Sequence, residues 1–519
     1  MKRPAKLNHM YAKQLIFNKM TEVRSIKQLV ITFFMALVST TIFAQLPAEL
    51  LNPEIISINR MPMRNNAFGF ENMDKAKQFD REKSANFFSL NGSWKFNWVR
   101  DPNQRPEKFY ELGYDDTKWT NFSIPASWEV NGYGLPIYVN QPYDFAGHNL
   151  RYDKMNPPFD IPANNNPVGS YRKKINLPAN WKGKQVFIHV GNAKSCLFVW
   201  VNGKKVGYSE DSKLAAEFDV TDFLKEGENL IAFQVFRWSD ASYLECQDMF
   251  RFSGIERDVF LYATEKLNIR DTKISSTLDA TYTNGLFSIN TEIDNYKREN
   301  GIYSKKDSLT VEVSLEDAKG NVVYQDKTKD FRTVLGKYKT NVEFQTTIKN
   351  VQKWSAETPY LYTLYITLKD VKGVVKQVVP LRVGFKKIEI KGADFLVNGK
   401  RVFIKGVNRH EHHPTNGHAL SKEDMRKEME MMKKLNINAV RHSHYTPDPY
   451  WMELCDQYGL YVVDEANIES HGLGYDLDVT LANKPLWKES HLQRIQRMYE
   501  RDKSNVSVVT WSLGNEAGD

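Results

Sequence analysis

Cysteine is scarce: Cys196, Cys246 and Cys455 are the only three in 519 residues. They lie far apart without CxxC spacing, which indicates neither a disulfide framework nor a zinc site, although export would permit one bridge. All three read as small buried residues. No P-loop, dinucleotide fingerprint or nucleophile elbow occurs, so nucleotide-dependent and serine-esterase chemistry lack their signatures. A basic stripe interleaved with aromatics is also missing. The formal charge is +8, but seven Lys or Arg and one Glu precede residue 28. That tail therefore holds +6 and the rest only +2, which excludes nucleic acid as a partner.

Long apolar runs are lacking too. The one candidate, Leu29–Ala44, is shorter than the roughly 20 residues a spanning helix needs. Lys13, Lys19, Arg24 and Lys27 precede it, the pattern of a secretory signal cleaved near Ala44–Gln45. Ile42 at the −3 position is less usual there than Ala, and an uncleaved anchor is the alternative. Met20 is a second candidate start. The expected location is periplasmic or secreted.

The length allows about three domains, and the chain is 41% hydrophobic and 13% aromatic. After the signal (1–44), residues 45–264 alternate as short strands, with a hairpin signal at Asn202-Gly203. A jelly-roll β-sandwich is expected there. Residues 265–386 alternate again, with turn signals at Asn284-Gly285, Lys319-Gly320 and Lys372-Gly373, and read as an immunoglobulin-like sandwich. From 387 to 519 the pattern changes. A hairpin at Asn398-Gly399 leads into alternating strands and helices. Ser421 and Asp424 form a capping-box variant, Pro449–Tyr458 is a helix stopped by Gly459, Trp487–Lys503 is a third helix, and Val506–Leu513 is the last strand. This βαβαβαβ order implies parallel strands with crossover helices, the first half of a (β/α)8 barrel, which needs about 250 residues when complete.

Each of the four strands ends in residues of catalytic type. The first ends in Arg409, His410, Glu411, His412 and His413; the second in Arg441, His442, Ser443 and His444. Asp464 and Glu465, then Glu469 and His471, follow the third. Asn515 and Glu516 follow the fourth. A lone histidine at a strand end is more often structural, yet the C-terminal edge of such a sheet is where active sites collect. Carboxylates, imidazoles and an amide suit glycoside cleavage, in which one acid protonates the leaving oxygen and a second carboxylate attacks the anomeric carbon. Glu469-x-His471 could also hold a divalent cation, or both could be ordinary loop residues.

Several segments are similar to known enzymes. Gly406–Pro414 (GVNRHEHHP), Asn438–Tyr445 (NAVRHSHY), Tyr458–Gly472 (YGLYVVDEANIESHG) and Trp511–Gly518 (WSLGNEAG) closely resemble glycoside hydrolase family 2, above all its bacterial β-galactosidases. Arg237–Val259 and Leu135–Tyr143 resemble the same enzymes. The resemblance implies that Glu516 is the general acid/base and that Glu469, His471 and Glu516 bind magnesium. It further implies that Asn140, Asp240, His410, His444 and Asn515 bind substrate, with Asp240 also a sodium ligand. Asp464 and Glu465 receive no principal role; buried hydrogen bonding at the barrel mouth is expected of them.

Two departures stand out. Thr446 precedes Pro447 where the family usually has Pro directly after its HY pair. The nucleophilic Glu, which the family carries on a later barrel strand, is expected beyond Asp519. The expected whole is a retaining enzyme releasing terminal non-reducing β-D-galactose from β-galactosides, homo-oligomeric at full length, the present chain being its N-terminal part and inactive alone. The alternatives are a β-glucuronidase or β-mannosidase of the same family, or a non-catalytic carbohydrate-binding or assembly fragment.

Overall fold

Alternating apolar and polar residues build two sandwiches. The computed structural model describes residues 46–140, 143–145, 161–296, 308–328 and 339–518; the segment read as a signal lies outside them. Among the described residues no helix is long and apolar enough to cross a membrane. In the first sandwich, a seven-stranded antiparallel sheet faces a four-stranded one. Trp94, Phe96, Trp128, Tyr171, Ile188, Phe233 and Leu261 fill the space between. The hairpin at Asn202-Gly203 forms as expected, with φ of 50° and 83° joining Cys196–Val201 to Lys204–Glu210. All three cysteines are free and buried.

The second sandwich packs a three-stranded sheet, containing Leu267–Leu278 and Gly285–Asn295, on a four-stranded one. Along Leu309–Glu316 every second side chain is buried, the period that one covered face demands.

A small antiparallel sheet turning at Asn398-Gly399 (φ 53° and 76°) precedes the barrel portion. There β1 (Gly406–Arg409), β2 (Ala439–His442), β3 (Tyr461–Glu465) and β4 (Val508–Ser512) lie parallel in that order. Between them run α1 (Lys422–Lys434), α2 (Pro449–Tyr458) and α3 (Lys488–Asp502). Ser421 and Asp424 exchange hydrogen bonds at the start of α1, and Gly459 ends α2 at φ 78°. Helix α1 buries Met425, Met429 and Met432 against Trp451 and Leu454 of α2 and Val440 and Val462 of the sheet.

Helix α3 is different, because its inward face carries Arg494, Arg497 and Arg501, all buried. Arg494 donates to Glu245 Oε1 (2.9 Å) and to the Asn467 carbonyl (2.6 Å), and Arg497 donates to Asp211 Oδ2 (3.0 Å). Asn467 donates to Asp211 and Glu245, both at 3.0 Å, and accepts from Gln247 at 3.0 Å. The jelly roll and barrel thus share one buried polar seam. A second pair, Arg257 Nη2 to Glu411 Oε2 at 2.6 Å, ties the jelly roll to the end of β1. The immunoglobulin-like sandwich is tied by Trp354, whose indole donates to the Asp456 carbonyl (2.8 Å). Lys386 donates to the carbonyls of Val506 and Val508, its ammonium pulled down to about 7 by burial.

Burial alone would raise the Glu411 carboxyl, but the facing Arg257, Arg409 and Lys213 outweigh it and hold it at about 2. The folded pKa is depressed, so this group's stabilisation is complete above the unfolded value of 4.5 and lost as pH falls towards 2. The amount is on the order of 3 kcal/mol. We expect acid denaturation to steepen below about pH 4.5, and Glu411→Gln to lower the neutral-pH urea midpoint while flattening that acid limb. An identical acid limb in the variant would refute the assignment.

Candidate active site

Parallel pairing brings the ends of the four strands level: Arg409 lies opposite His442, and Glu465 opposite Ser512. Two loops cross this edge. The loop after β3 is held by the jelly roll, since Glu469 N donates to the Leu244 carbonyl (2.8 Å) and Cys246 N to the Glu469 carbonyl (3.0 Å). The loop after β4 folds over it, with Asn515 N donating to the Ile468 carbonyl at 2.9 Å. Gly514 permits this approach: its φ is +141°, and a Cβ there would lie 2.7 Å from that carbonyl oxygen.

These loops bring Glu469, His471 and Glu516 together. His471 Nδ1 lies 3.2 Å from Glu469 Oε1 and 3.3 Å from Glu516 Oε2, while Nε2 is 2.6 Å from the backbone oxygen of Asn140. A ring that donates one N–H to a carbonyl leaves its other nitrogen as a lone pair, the arrangement of a metal-ligating histidine. Both Glu469 oxygens and His471 Nδ1 are buried without hydrogen-bond partners, which buried groups of this kind rarely tolerate. Two carboxylates and one imidazole thus fit a cation. Glu469 holds the His471 pKa above its ordinary value against the opposing pull of burial. Glu516 remains half exposed, at 47%.

A second cluster centres on Glu465, whose side chain is fully buried. It accepts from His444 Nδ1 (2.6 Å), from Arg441 Nε (2.7 Å) and Nη2 (3.0 Å), and from Ser512 Oγ (2.8 Å). Arg441 Nη2 also reaches Asn515 Oδ1 at 3.0 Å. His410 stands beside His444, ring centres 5.7 Å apart. Burial, then His444, lowers its pKa to about 4, so it is neutral at ordinary pH. Behind the sheet, His442 Nδ1 meets Asp464 Oδ1 at 3.2 Å and Nε2 accepts from the Trp451 indole at 3.1 Å, so Asp464 serves the interior.

One more expected site residue, Asp240, comes from the jelly roll. Asp240 is fully buried beside Glu210, which itself accepts from the Tyr208 hydroxyl at 2.5 Å. Burial raises both acids, Asp240 to about 6, against the opposing charge of Arg494. Like Glu469, Asp240 is a buried carboxylate with no hydrogen-bond partner for either oxygen, a state that fits a cation. A second jelly-roll acid, Asp248, stands at the cleft, its Oδ1 3.4 Å from His471 Nε2, and groups with Glu469 and His471. Both acids lie within Arg237–Val259, eight residues apart, and their spacing carries no signal of which faces outward. Asn140 does reach the site, through its backbone oxygen.

Comparison with known proteins agrees with this geometry. Residues 87–265 match the sugar binding domain of glycosyl hydrolases family 2, 267–386 match a further model of glycosyl hydrolases family 2, and 388–519 match the family's TIM barrel domain. The chain is 41% identical over 472 residues to a beta-galactosidase of Priestia megaterium, covering 90% of this chain and 44% of that protein. A beta-galactosidase of Halalkalibacterium halodurans is 39% identical, with 89% and 44% covered. The chain therefore spans less than half the length of these relatives. Among solved structures, a Bacteroides uniformis beta-glucuronidase superposes with TM-score 0.67 at 23% identity, covering 82% of this chain and 46% of that one; a calcium-binding mutant of Bacteroides uniformis beta-glucuronidase 2 superposes with TM-score 0.64 at 23% identity, covering 82% and 46%. With its two sandwiches, its parallel barrel strands and these matches from residue 87 to 519, the chain belongs to glycosyl hydrolase family 2.

Proposed function

We propose that the protein acts within a retaining glycoside hydrolase that removes terminal non-reducing β-D-galactose from β-galactosides, with Glu516 as its acid/base. The observation that carries this reading is the half-exposed Glu516 carboxylate just beyond β4, on the same sheet edge as groups suited to sugar hydroxyls: His410, His444 and Asn515. The relatives named beta-galactosidase support galactose as the sugar; the beta-glucuronidase structures support only the fold.

In the proposed reaction Glu516, protonated, gives its proton to the glycosidic oxygen as the bond to the anomeric carbon breaks. As a carboxylate it then takes a proton from the water that releases the sugar. Retention needs a second carboxyl about 5–5.5 Å away. Glu469 and Asp248 converge with Glu516 on His471 and suit a cation better, so we place the nucleophile on a later barrel strand, as the family resemblance implies. Glu469, His471 and Glu516 would hold a divalent cation, and their oxygen-rich set suits magnesium, with a single imidazole tolerable. When bound, that ion supplies positive charge that fixes the Glu516 carboxylate and favours its ionised form. Asp240, both oxygens of which lack a partner, would be the substrate contact and the sodium ligand, and Asp248 beside His471 is a further jelly-roll carboxylate at the cleft. We further propose an exported enzyme that assembles as a homo-oligomer when whole. The Lys- and Arg-flanked segment Leu29–Ala44 supports the export.

Two experiments test this reading on the protein as its gene encodes it. Glu516→Gln should lower kcat about 10²- to 10⁴-fold, most severely for galactosides with poor leaving groups; unchanged turnover would end the assignment, as would faster cleavage of nitrophenyl glucuronide or mannoside than of nitrophenyl galactoside. Chelation should depress activity and magnesium restore it. His471→Ala should weaken magnesium binding by about tenfold or more in calorimetry, and an unaltered Kd would remove the cation from the proposed site.

A further inference from the structure

We infer that Glu465 is a positioning residue: a single buried carboxylate aims His444, Arg441 and, through Arg441, the amide of Asn515 at the substrate. The inference rests on the reading of this cleft as a glycosidase site. The geometry leaves each partner little choice. Arginine has donors only, so the Asn515 atom 3.0 Å from Arg441 Nη2 must be the amide oxygen. The Asn515 NH2 is therefore left as a donor for a sugar hydroxyl. The carboxylate is likewise an acceptor only, so His444 must carry its proton on Nδ1 to meet Glu465 Oε1 at 2.6 Å. Its Nε2 is then the nitrogen left for the substrate. Burial alone would raise the Glu465 carboxyl, but His444, Arg441 and Ser512 hold it below its ordinary value, so it stays an anion.

Every bond that orients these groups converges on one side chain. The two oxygens together accept four hydrogen bonds, from the loop after β2 (His444), the end of β2 (Arg441, twice) and the last residue of β4 (Ser512). Glu465 itself ends β3. It thus ties three neighbouring strands at the edge where Asn515 and Glu516 leave β4. Being fully buried, it does not touch substrate; its effect passes through its partners.

Glu465→Gln keeps the shape but puts an NH2 against one N–H of the Arg441 fork, whichever way the amide turns. It should lower kcat/KM on a galactoside by about 100-fold, the usual effect of a reacting geometry displaced by about 1 Å. In the His444→Ala background the same change should have a much smaller effect, leaving the double variant at least about tenfold more active than independent losses would predict. Losses that simply multiply would overturn the inference. Nitrogen-15 spectra of histidine-labelled wild-type protein, with His444 assigned by its alanine variant, provide a readout independent of activity and of the variant's folding. A proton on His444 Nδ1 is expected; a proton on Nε2 alone would overturn the inference. If the wild-type protein cleaved no galactoside, the function reading would fail while the tautomer still decided the role of Glu465.

Discussion

An arginine taken out of water must find acceptors for its guanidinium, and Arg494 finds them on two domains at once. Glu245 and the carbonyl of Ala241 come from the jelly roll, and the Asn467 carbonyl from the barrel loop after β3. A buried pair of this kind adds little net stability over an apolar contact, but removing one partner costs about 3–5 kcal/mol. Its value here is therefore in register: it locks the segment through Glu245 to the loop through Asn467. That lock sets the backbone pairing of Leu244 and Cys246 with Glu469, and the pairing decides where Glu469, His471 and Asp248 stand. The cleft depends on the seam.

The acids at this edge fall into two groups. Glu465 is saturated by four donors, an arginine among them, and stays ionised as a rigid anchor. Glu469 has no donor for either oxygen, and Glu516 is open to solvent. Similar carboxyl groups at one sheet edge thus do different work: one organises neighbours, while the others are left to bind an ion or move a proton. A third environment is seen in the jelly roll, where burial raises the Asp240 and Glu210 carboxyls despite the opposing charge of Arg494.

Much of this was readable from residue order. Alternation along Leu309–Glu316, the positive-φ turns at Asn202-Gly203 and Asn398-Gly399, and the Ser421–Asp424 cap are local effects, and each formed where the pattern placed it. The polar strand ends were readable as well, because parallel strands joined by crossover helices bring their C-terminal edges together. Helix α3 shows where local reading stops. Its helical period is plain, yet the inward face is arginine, which hydropathy assigns to solvent. Only acids on another domain make that orientation possible. The last strand is shorter than its apolar run, since Gly514 turns the chain and leaves Leu513 exposed.

The sequence by itself determined the element types, their order, and the kind of chemistry gathered at the barrel edge, because turns, caps and strand periods depend on neighbours a few residues away. It determined that Glu516 follows a strand, although of that strand's residues only Val508 is buried. Tertiary structure decided which acids share a site. Asp240 and Asp248 are chemically alike and eight residues apart, and only packing buries one beside Glu210 and sets the other beside His471. Long-range contacts likewise made Glu465 an anchor, since its partners lie 21 to 47 residues away along the chain. Such distances carry no local signal, and the fold alone brings them within a hydrogen bond.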